Sequence, residues 1–428
     1  MKKYLLITFI CLVYAGGTSD ESSIRSEGYL SLNNSSIRHT FGCGVMLIED
    51  NTTTEKNIVI TNNVISDTKN GIYAAIIGNA DLEIKNNRIQ GSQEIGVRLF
   101  MAGYGTVLPD DNQTAILNDG GDIEFSGNII EDSGVASIYY GNPFLPASFD
   151  KIKNNSCSEK IAYQHLFSNH DMTLPSGEYV IGVIEVKANT TLKLLPGTVI
   201  DLVGSAVVPS TSTLEAYGEP DDKIVINSNW NVELGEQVTN DNAITVDGGT
   251  LKMKHVRLKN FAVALVTVNN ATLNMEYCSI VNSGHGIYFE SSTGSTVKRC
   301  TFDDIHFSTI GFPGISGILD LSENYWGAVD GPKIVNTYTN SNGTKSEQVL
   351  KDTDGCLIAI NTNQVAGLSI VDGEIRDNSG NKIIYGPFWN EDPTYKLHFG
   401  ENGVYTPIGA YSQQYVDMTV HCQGNRCR

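Results

Sequence analysis

Side chains that could transfer protons or hold a metal ion concentrate between residues 282 and 330. Imidazoles and carboxylates do acid–base work or bind metals when the fold brings them to one site. A sequence repeat, described below, would bring them to one edge of the fold. The predicted edge consists of Asn282, His285, Asp303, Asp304, His306 and Asp330. The alternative is a row of solvated turn residues, since polar residues occupy most surface turns.

A second set of side chains suits ligand binding better than catalysis. In several strands an apolar residue that points inward would direct the residue after it outward. The residues directed outward are Tyr73, Arg98 and Tyr139, with Tyr288 in the corresponding position of the second half. Aromatic rings with an arginine between them stack on sugar faces and hydrogen-bond to hydroxyl groups. The alternative is aromatic pairing between neighbouring strands that only stabilises a sheet.

Both sets are positioned by a six-residue pattern, apolar-x-x-slot-x-apolar, that recurs along the chain. In the second half the slot positions are Val256, Cys278, Cys300 and Asn324, which are 22, 22 and 24 residues apart. In the first half they are Asn63, Asn87, Asn128 and Asn155, at intervals of 24, 41 and 27 residues. A repeat of this length is typical of a solenoid. Apolar and polar residues alternate around each slot, which predicts strands and leaves no room for a useful helix.

Two kinds of solenoid have repeats of this length. A leucine-rich repeat needs a further apolar residue eight positions before the slot, where this chain has polar or small residues. Those residues are Glu55, Asn79, Gly120, Asn270, Ser292 and Ser316. The pattern therefore favours a parallel β-helix, in which short strands stack in register about 4.8 Å apart.

The end of the repeat region carries a further motif. The last repeat reads Asn324-Tyr325-Trp326-Gly327 and is followed by Gly331-Pro332 and Pro387-Phe388-Trp389. In this the chain resembles right-handed parallel β-helix proteins of the pectate-lyase-like superfold. The resemblance implies an all-β, right-handed parallel β-helix solenoid with coils of about 22–27 residues. It leaves function open, because the superfold includes lyases, hydrolases, epimerases, adhesins and accessory proteins.

The four slot asparagines of the first half predict an asparagine ladder. An inward amide at a tight turn hydrogen-bonds to backbone groups and can stack on the asparagine of the next coil. The long interval between Asn87 and Asn128 indicates an insertion of about 17 residues that leaves the solenoid as a loop. Its acidic residues would form a wall beside the row of Tyr73, Arg98 and Tyr139. They are Asp110, Asp111, Asp119 and Asp122.

The chain begins as an exported protein would. Lys2-Lys3, a short apolar run and small residues predict a secretory signal peptide over residues 1–15. A lipoprotein signal acylated at Cys11 is the alternative. We therefore expect an extracellular, periplasmic or cell-surface location.

The remaining chain divides into five predicted segments. They are an N-terminal linker or cap at 16–40, a first β-helix segment at 41–160, a seam at 161–176, a second β-helix segment with closing strands at 177–390, and a C-terminal tail at 391–428. The two β-helix segments would be two stacked helices. One continuous helix with an irregular middle is the alternative.

The charge balance limits the partners. The chain carries 29 basic and 48 acidic residues, a formal net charge of -19. A net negative charge of this size repels nucleic acids and anionic membranes. It also argues against broad binding of polyuronates, unless a cation bridges the protein and the polysaccharide. No segment reaches the length of a transmembrane helix. A polysaccharide or glycan is the expected partner, and the oligomeric state stays open.

Cysteines offer two predicted pairs. Cys278 and Cys300 occupy the slot in successive coils, so their Cα atoms would lie about 5 Å apart, within the range of a disulfide. Stacked free thiols are the alternative for this pair. Cys422 and Cys427 lie close together in the tail and are expected to bond to each other.

Two classes of function follow. Gly284-His285-Gly286 and Asp303-Asp304 resemble polygalacturonase motifs, but their order is reversed and no Arg-x-Lys segment follows. No cofactor is identified, and Ca²⁺ stays open although the sequence after Asp352 departs from a calcium loop. The sequence favours a secreted, non-catalytic module that binds polysaccharide or glycan. The alternative is a carbohydrate-active enzyme, either a polysaccharide lyase, a glycoside hydrolase or an epimerase, that uses the His–Asp edge.

Overall fold

A computed structural model describes residues 6–7, 12–14, 22, 24–26, 30–102, 123–140, 154–168, 170–228, 243–290, 294–312, 317–328, 330–340, 342–362, 368–386 and 388. These residues form an all-β parallel solenoid of about 11 turns and contain no helix, which confirms the predicted all-β class and parallel β-helix. Some predictions fall outside them. These concern the acidic insertion with Asp110, Asp111, Asp119 and Asp122, the residues Pro387 and Trp389, and the pair Cys422 and Cys427.

The described part of the chain contains 35 strands, most of them short. In chain order they are β1 (Leu6–Ile7), β2 (Leu12–Tyr14), β3 (Ile24–Ser26), β4 (Leu30–Asn33), β5 (Ser36–Thr61), β6 (Val64–Lys85), β7 (Arg88–Gln90), β8 (Ile95–Ala102), β9 (Ile123–Ser126), β10 (Ile129–Glu131), β11 (Ala136–Tyr140), β12 (Ser156–Cys157), β13 (Ile161–Ser168), β14 (Met172–Leu174), β15 (Gly177–Val186), β16 (Thr191–Leu194), β17 (Thr198–Leu202), β18 (Ala206–Pro209), β19 (Thr213–Tyr217), β20 (Ile224–Ser228), β21 (Ile244–Asp247), β22 (Thr250–Lys254), β23 (Val256–Lys259), β24 (Val263–Val268), β25 (Thr272–Glu276), β26 (Ser279–Phe289), β27 (Thr296–Lys298), β28 (Thr301–Phe312), β29 (Ile318–Asp320), β30 (Lys333–Thr339), β31 (Lys345–Lys351), β32 (Leu357–Thr362), β33 (Ser369–Val371), β34 (Glu374–Arg376) and β35 (Lys382–Ile384).

The chain divides into two compact units. Unit 1 comprises Met1–Phe167 and Glu178–Val183, and unit 2 comprises Ser168–Gly177 and Ile184–Arg428. In unit 1, β1 and β2 lie in the segment predicted as a signal peptide and pair in parallel with β4 and β5.

Three columns of apolar side chains fill the interior of unit 1, one for each strand position of a coil. The columns are Leu32, Ile60, Ile84 and Phe125; Ile37, Ile65, Ile89 and Ile130; and Val45, Ile72, Val97 and Ile138. Each of these side chains is at most 2% exposed. Burial of such a side chain contributes about 1.5–3 kcal/mol, so the repeated apolar positions account for the stacking.

Unit 2 contains a separate ten-stranded sheet, here called the second sheet. Its strands are β14, β16, β19, β22, β25, β27, β29, β35, β34 and β33 in spatial order. The first eight run parallel, and β34 and β33 add an antiparallel ending. A column of buried leucines, which includes Leu214, Leu251 and Leu273, packs under the sheet.

After Pro332 the chain forms an antiparallel hairpin of β30 and β31. Strands β32 and β33 follow within the segment for which closing strands were predicted. Strand β31 carries Lys345, Glu347 and Lys351, and charges of this kind on a strand edge discourage pairing with another chain.

Two corners per coil are built from residues in the left-handed backbone conformation. One corner lies directly before the slot, at Asn34, Asn62, Asn86 and Gly127 in unit 1 and at His255, Tyr277, Arg299 and Glu323 in unit 2. The other lies one strand later, at His39, Asp67, Gly91 and Asp132 in unit 1 and at Asn260, Asn282 and Asp304 in unit 2. Asn, Asp and Gly adopt this conformation more readily than other residues, which explains their recurrence at the corners of unit 1 and at the later corner of unit 2. The corner before the slot in unit 2 has none of these three residue types.

The asparagine ladder of unit 1 is confirmed. Asn63 donates from its backbone N–H and its amide Nδ2 to Oδ1 of Asn87, over 3.0 and 2.9 Å. Asn87 bonds to Asn128 in the same way, as does Asn128 to Asn155. The ladder extends one coil beyond the prediction, because the backbone N–H of Ser35 donates to Oδ1 of Asn63 over 2.9 Å. Asn63, Asn87 and Asn128 are almost fully buried, so the ladder satisfies polar groups inside the core.

In unit 2 the slot contains buried thiols. Cys278 and Cys300 are free cysteines, which is the second of the two predicted arrangements. Their Sγ atoms hydrogen-bond to the backbone carbonyls of Glu276 and Lys298, at 3.3 and 3.2 Å. Burial raises the pKa of the Cys300 thiol well above its usual value. The backbone N–H of Cys300 donates to Oδ1 of Asn324 over 2.8 Å, so the last coil restores the asparagine pattern.

Candidate functional site

The predicted His–Asp edge lies along a corner of the solenoid. Asn282 and Asp304 are in register on successive coils, and both have positive φ angles, of 47° and 52°. The amide of Asn282 donates to Oδ1 of Asn260 over 2.7 Å, and Asn260 donates onward to Asn227 over 2.6 Å. Asn227 in turn donates to Asp201 over 2.9 Å. These bonds give Asn282 a structural role at the corner, and Asp304 shares its left-handed backbone conformation.

His285 lies in β26 and contacts an aromatic neighbour of the next coil. Its Nδ1 is 2.8 Å from Oγ of Ser308, and its ring centroid is 5.1 Å from that of Phe307. A bulge between β26 and β28 pairs His285 with Ser308, whereas the register of Ser283 with Ile305 would have set Phe307 opposite His285. Burial lowers the pKa of His285, which favours the neutral imidazole near neutral pH.

The other members of the edge are exposed and have separate surroundings. Asp303 and His306 lie in β28 with their side chains in solvent, and Asp330 lies in the turn after Gly327. The backbone carbonyl of Asp330 accepts a hydrogen bond from Nζ of Lys351. Among the residues that the structure describes, no group of three His, Cys, Asp or Glu side chains is arranged to hold a metal ion. Among the described residues, the carboxylates and imidazoles of the edge therefore do not converge on one metal site.

The predicted row of Tyr73, Arg98 and Tyr139 has the expected register. Tyr73 pairs with Arg98, and Arg98 pairs with Tyr139, on three consecutive coils. The Arg98 guanidinium carbon lies 5.1 Å from the centre of the Tyr139 ring. All three side chains are half-buried, less exposed than the sequence predicted, because neighbouring coils cover part of each one. The arrangement gives a planar cation stacked on one face of a ring, with part of both groups in contact with solvent.

Tyr288 points outward, as its position predicted, and is 38% exposed. It pairs with Gly311 of the next coil. A Cβ atom on residue 311 would lie only 2.9 Å from Cδ2 of Tyr288, so the glycine makes room for the tyrosine ring.

Sequence reasoning missed a groove over the second sheet. Two rows of outward side chains form its walls. One row contains Lys252, Asn274 and Thr296, and the other contains Tyr217, Lys254, Glu276 and Lys298. Met253 and Met275 lie between the rows, and the cavity has a volume of about 490 Å³. The signal in the sequence was the alternation within β22, β25 and β27, which places these side chains outward.

A stacked column of corner residues adjoins this groove. The rings of His255 and Tyr277 are 5.2 Å apart and nearly parallel, at 9°. The Arg299 guanidinium carbon lies 5.4 Å from the centre of the Tyr277 ring, and Arg299 pairs with Glu276 and Glu323 at 2.8 Å each. A non-glycine residue in the left-handed conformation costs about 1–2 kcal/mol. The stacking and ion pairs offset this strain at Tyr277 and Arg299.

Comparisons of this chain with protein-family models, with curated proteins and with solved structures found no match. No described helix is long and apolar enough to cross a membrane.

Proposed function

We propose that this chain is an exported, right-handed β-helix protein that binds polysaccharide or glycan without catalysing a reaction on it. The observation that carries the proposal is the row of Tyr73, Arg98 and Tyr139, held in register on three coils of unit 1. The proposal fits an acidic chain, with a formal net charge of -19, best if the ligand is neutral.

The chemistry of the row suits a sugar chain. Tyrosine rings offer apolar faces and edges to the C–H groups of a sugar, and a guanidinium offers planar N–H donors to its hydroxyls. Stacking on Tyr139 fixes the plane of the Arg98 guanidinium before a ligand arrives, which reduces the entropy cost of binding. Tyr73 and Tyr139 are two coils apart, or about 9.6 Å, so contact with both requires a ligand longer than one sugar ring.

Two observations support binding over the enzymatic alternative. Asn282 and Asp304 occupy left-handed corners, a position that by itself favours Asn and Asp. The Nδ1 atom of His285 is engaged with Ser308, a hydroxyl that is itself half-buried in the sheet. Three residues of the predicted edge, Asn282, Asp304 and His285, are therefore explained by the corner and the sheet without a reaction.

The test is retention on a panel of immobilised neutral polysaccharides, with release of reducing ends and of unsaturated uronate measured in parallel. We expect Tyr139→Ala to weaken retention by about 1–2 kcal/mol, or about five- to thirtyfold, with Arg98→Ala acting on the same ligand. Phe41→Ala is the matched control, because Phe41 is a 60% exposed aromatic residue of unit 1 outside the row. Tyr288→Ala serves as the control in unit 2.

Equal retention of wild type and of both row variants would refute binding at the row. Turnover of any polysaccharide by the wild type would instead support the enzymatic alternative. Export is tested separately: N-terminal sequencing of the secreted protein is expected to give a chain that starts near residue 16, whereas a retained Met1 would contradict it.

A further inference from the structure

The groove over the second sheet is locally less acidic than the chain as a whole. Three lysines and Glu276 line it, and Glu215 and Asp320 pair with two of the lysines, so these groups together are formally neutral, whereas the whole chain carries -19. A locally neutral site with exchangeable lysine partners admits a small anion although the distant field is negative, because salt screens charges farther away than about 10 Å.

The lysines of the groove differ in how firmly they are paired. Lys298 lies 2.7 Å from Asp320, and Lys252 lies 3.0 Å from Glu215. Lys254 is 3.6 Å from Glu276, and its side chain is 45% exposed. Exposed ion pairs contribute little to stability, so a ligand anion can replace a partner at small cost. Lys254 is therefore the ammonium group best placed to change partner.

The remaining walls offer groups that recognise a sugar. Tyr217 is 46% exposed and stands beside Lys254 in the same row, on the preceding strand of the sheet. The hydroxyl of Thr296 donates to Oδ1 of Asn274 over 3.0 Å, which orients the Asn274 amide. An exposed ring, an oriented amide and an ammonium group within one cavity are the groups that hold, respectively, a sugar face, a hydroxyl and an anion.

We propose that this groove binds a single negatively charged sugar residue, with its ring against Tyr217 and its anionic group between Lys252 and Lys254. The site is independent of the row in unit 1. It takes a short ligand, because a long polyanion meets the negative field of the rest of the chain. A carboxylate and a phosphate ester share the chemistry that the lysines recognise, and the experiment separates these two sources.

The experiment titrates the full chain with methyl β-glucuronide, with glucose 6-phosphate and with neutral methyl β-glucoside, followed by ligand-observed NMR. We expect at least one anionic sugar to bind about tenfold more tightly than the neutral glucoside, the ratio expected for a hydrogen bond to a charged group. The anionic sugar that binds more tightly shows whether the site prefers a carboxylate or a phosphate ester. We expect Lys254→Gln to remove most of this preference and Tyr217→Ala to weaken binding of the charged and the neutral sugars alike.

Lys345→Gln is the matched control, since it removes one exposed lysine of unit 2 away from the groove. Added salt should weaken anion binding to wild type and leave the glucoside unaffected. Equal binding of charged and neutral sugars, or unchanged anion binding by Lys254→Gln, would overturn the proposal. Neither outcome bears on the row, whose ligands are scored with the Tyr139→Ala and Arg98→Ala variants. If Tyr139→Ala and Arg98→Ala leave polysaccharide retention unchanged, binding at the row is refuted and the proposal for the groove is unaffected.

Discussion

Replacement of Asn128 by leucine tests the asparagine ladder at a residue that is almost fully buried. The Asn128 amide donates to the carbonyl of Ile84 over 2.9 Å and to Oδ1 of Asn155 over 2.8 Å. Its Oδ1 accepts from the backbone N–H and the side-chain amide of Asn87, over 3.0 and 2.9 Å. Leucine has a similar volume but can replace none of these four bonds.

The expected loss of stability follows from the two backbone groups that lose a hydrogen-bond partner. An unsatisfied buried group costs about 1–3 kcal/mol, so the Asn87 N–H and the Ile84 carbonyl together cost about 2–6 kcal/mol. Burial of the leucine side chain offsets about 1.5–3 kcal/mol. We therefore expect Asn128→Leu to lower the free energy of unfolding by about 2 kcal/mol, the difference between the midpoints of these two ranges.

The assay is urea denaturation followed by circular dichroism of the β-sheet signal. Ile130→Leu is the control, because Ile130 is buried two residues after Asn128 in the same coil and its side chain makes no hydrogen bond. An exchange that conserves side-chain volume costs less than about 1.5 kcal/mol. An Asn128→Leu variant as stable as Ile130→Leu would refute the reasoning. The double variant of Asn87 and Asn128 should lose less than the sum of the single losses, because the two residues share two of the bonds.

The remaining predictions concern protonation and the corner. Burial lowers the pKa of His255 and of His285, so the unfolded chain binds more protons just below pH 6.5. The stabilising contribution is present above that pH and is lost as the pH falls through the folded-state pKa values; the melting temperature should fall accordingly, and less steeply in the His255→Asn, His285→Gln variant. At the corner, Asp304→Asn should leave the melting temperature unchanged while Asp304→Ala lowers it, since alanine tolerates a positive φ less well than asparagine. Unchanged stability in Asp304→Ala together with loss of an assayed turnover or of bound metal would instead restore the catalytic interpretation.

The stacking of coils could be predicted because its determinants are local and repeated. A slot asparagine flanked by alternating apolar residues fixes which side chains face inward, and a near-constant interval fixes which residues lie in register. Asn63 and Asn87 were therefore placed correctly, and so were Tyr73 and Arg98, which pair directly. Even the interval of 41 residues between Asn87 and Asn128 did not disturb the register, since the insertion leaves the slot geometry intact.

The groove and the details of the His–Asp edge could not be predicted in the same way. The pairing of Tyr217 with Lys254 joins residues 37 positions apart, across a coil longer than the repeat. The bulge beside Ser283 shifts the register within one pair of strands, and it is this shift that sets Ser308 opposite His285. Such shifts depend on how neighbouring coils pack, which a repeat pattern does not encode. Asn282 and Asp304 each lie four residues after a slot residue, and the left-handed backbone conformation at that position explains both residue types.

Thiols that are buried or half-buried in the coils allow local opening of the solenoid to be followed by their chemical reactivity. Burial raises the pKa of Cys43, Cys300 and Cys356, and that of Cys157 to about 11, so few of these sulfurs are thiolates at neutral pH while the coils are closed. Only the thiolate reacts with alkylating reagents, so modification waits for the coil around each sulfur to open. The cysteines lie at different points along the chain, from Cys43 in unit 1 to Cys356 near the closing strands. The order in which these native cysteines become alkylated would therefore show which coils open first, and no cysteine has to be introduced for the experiment.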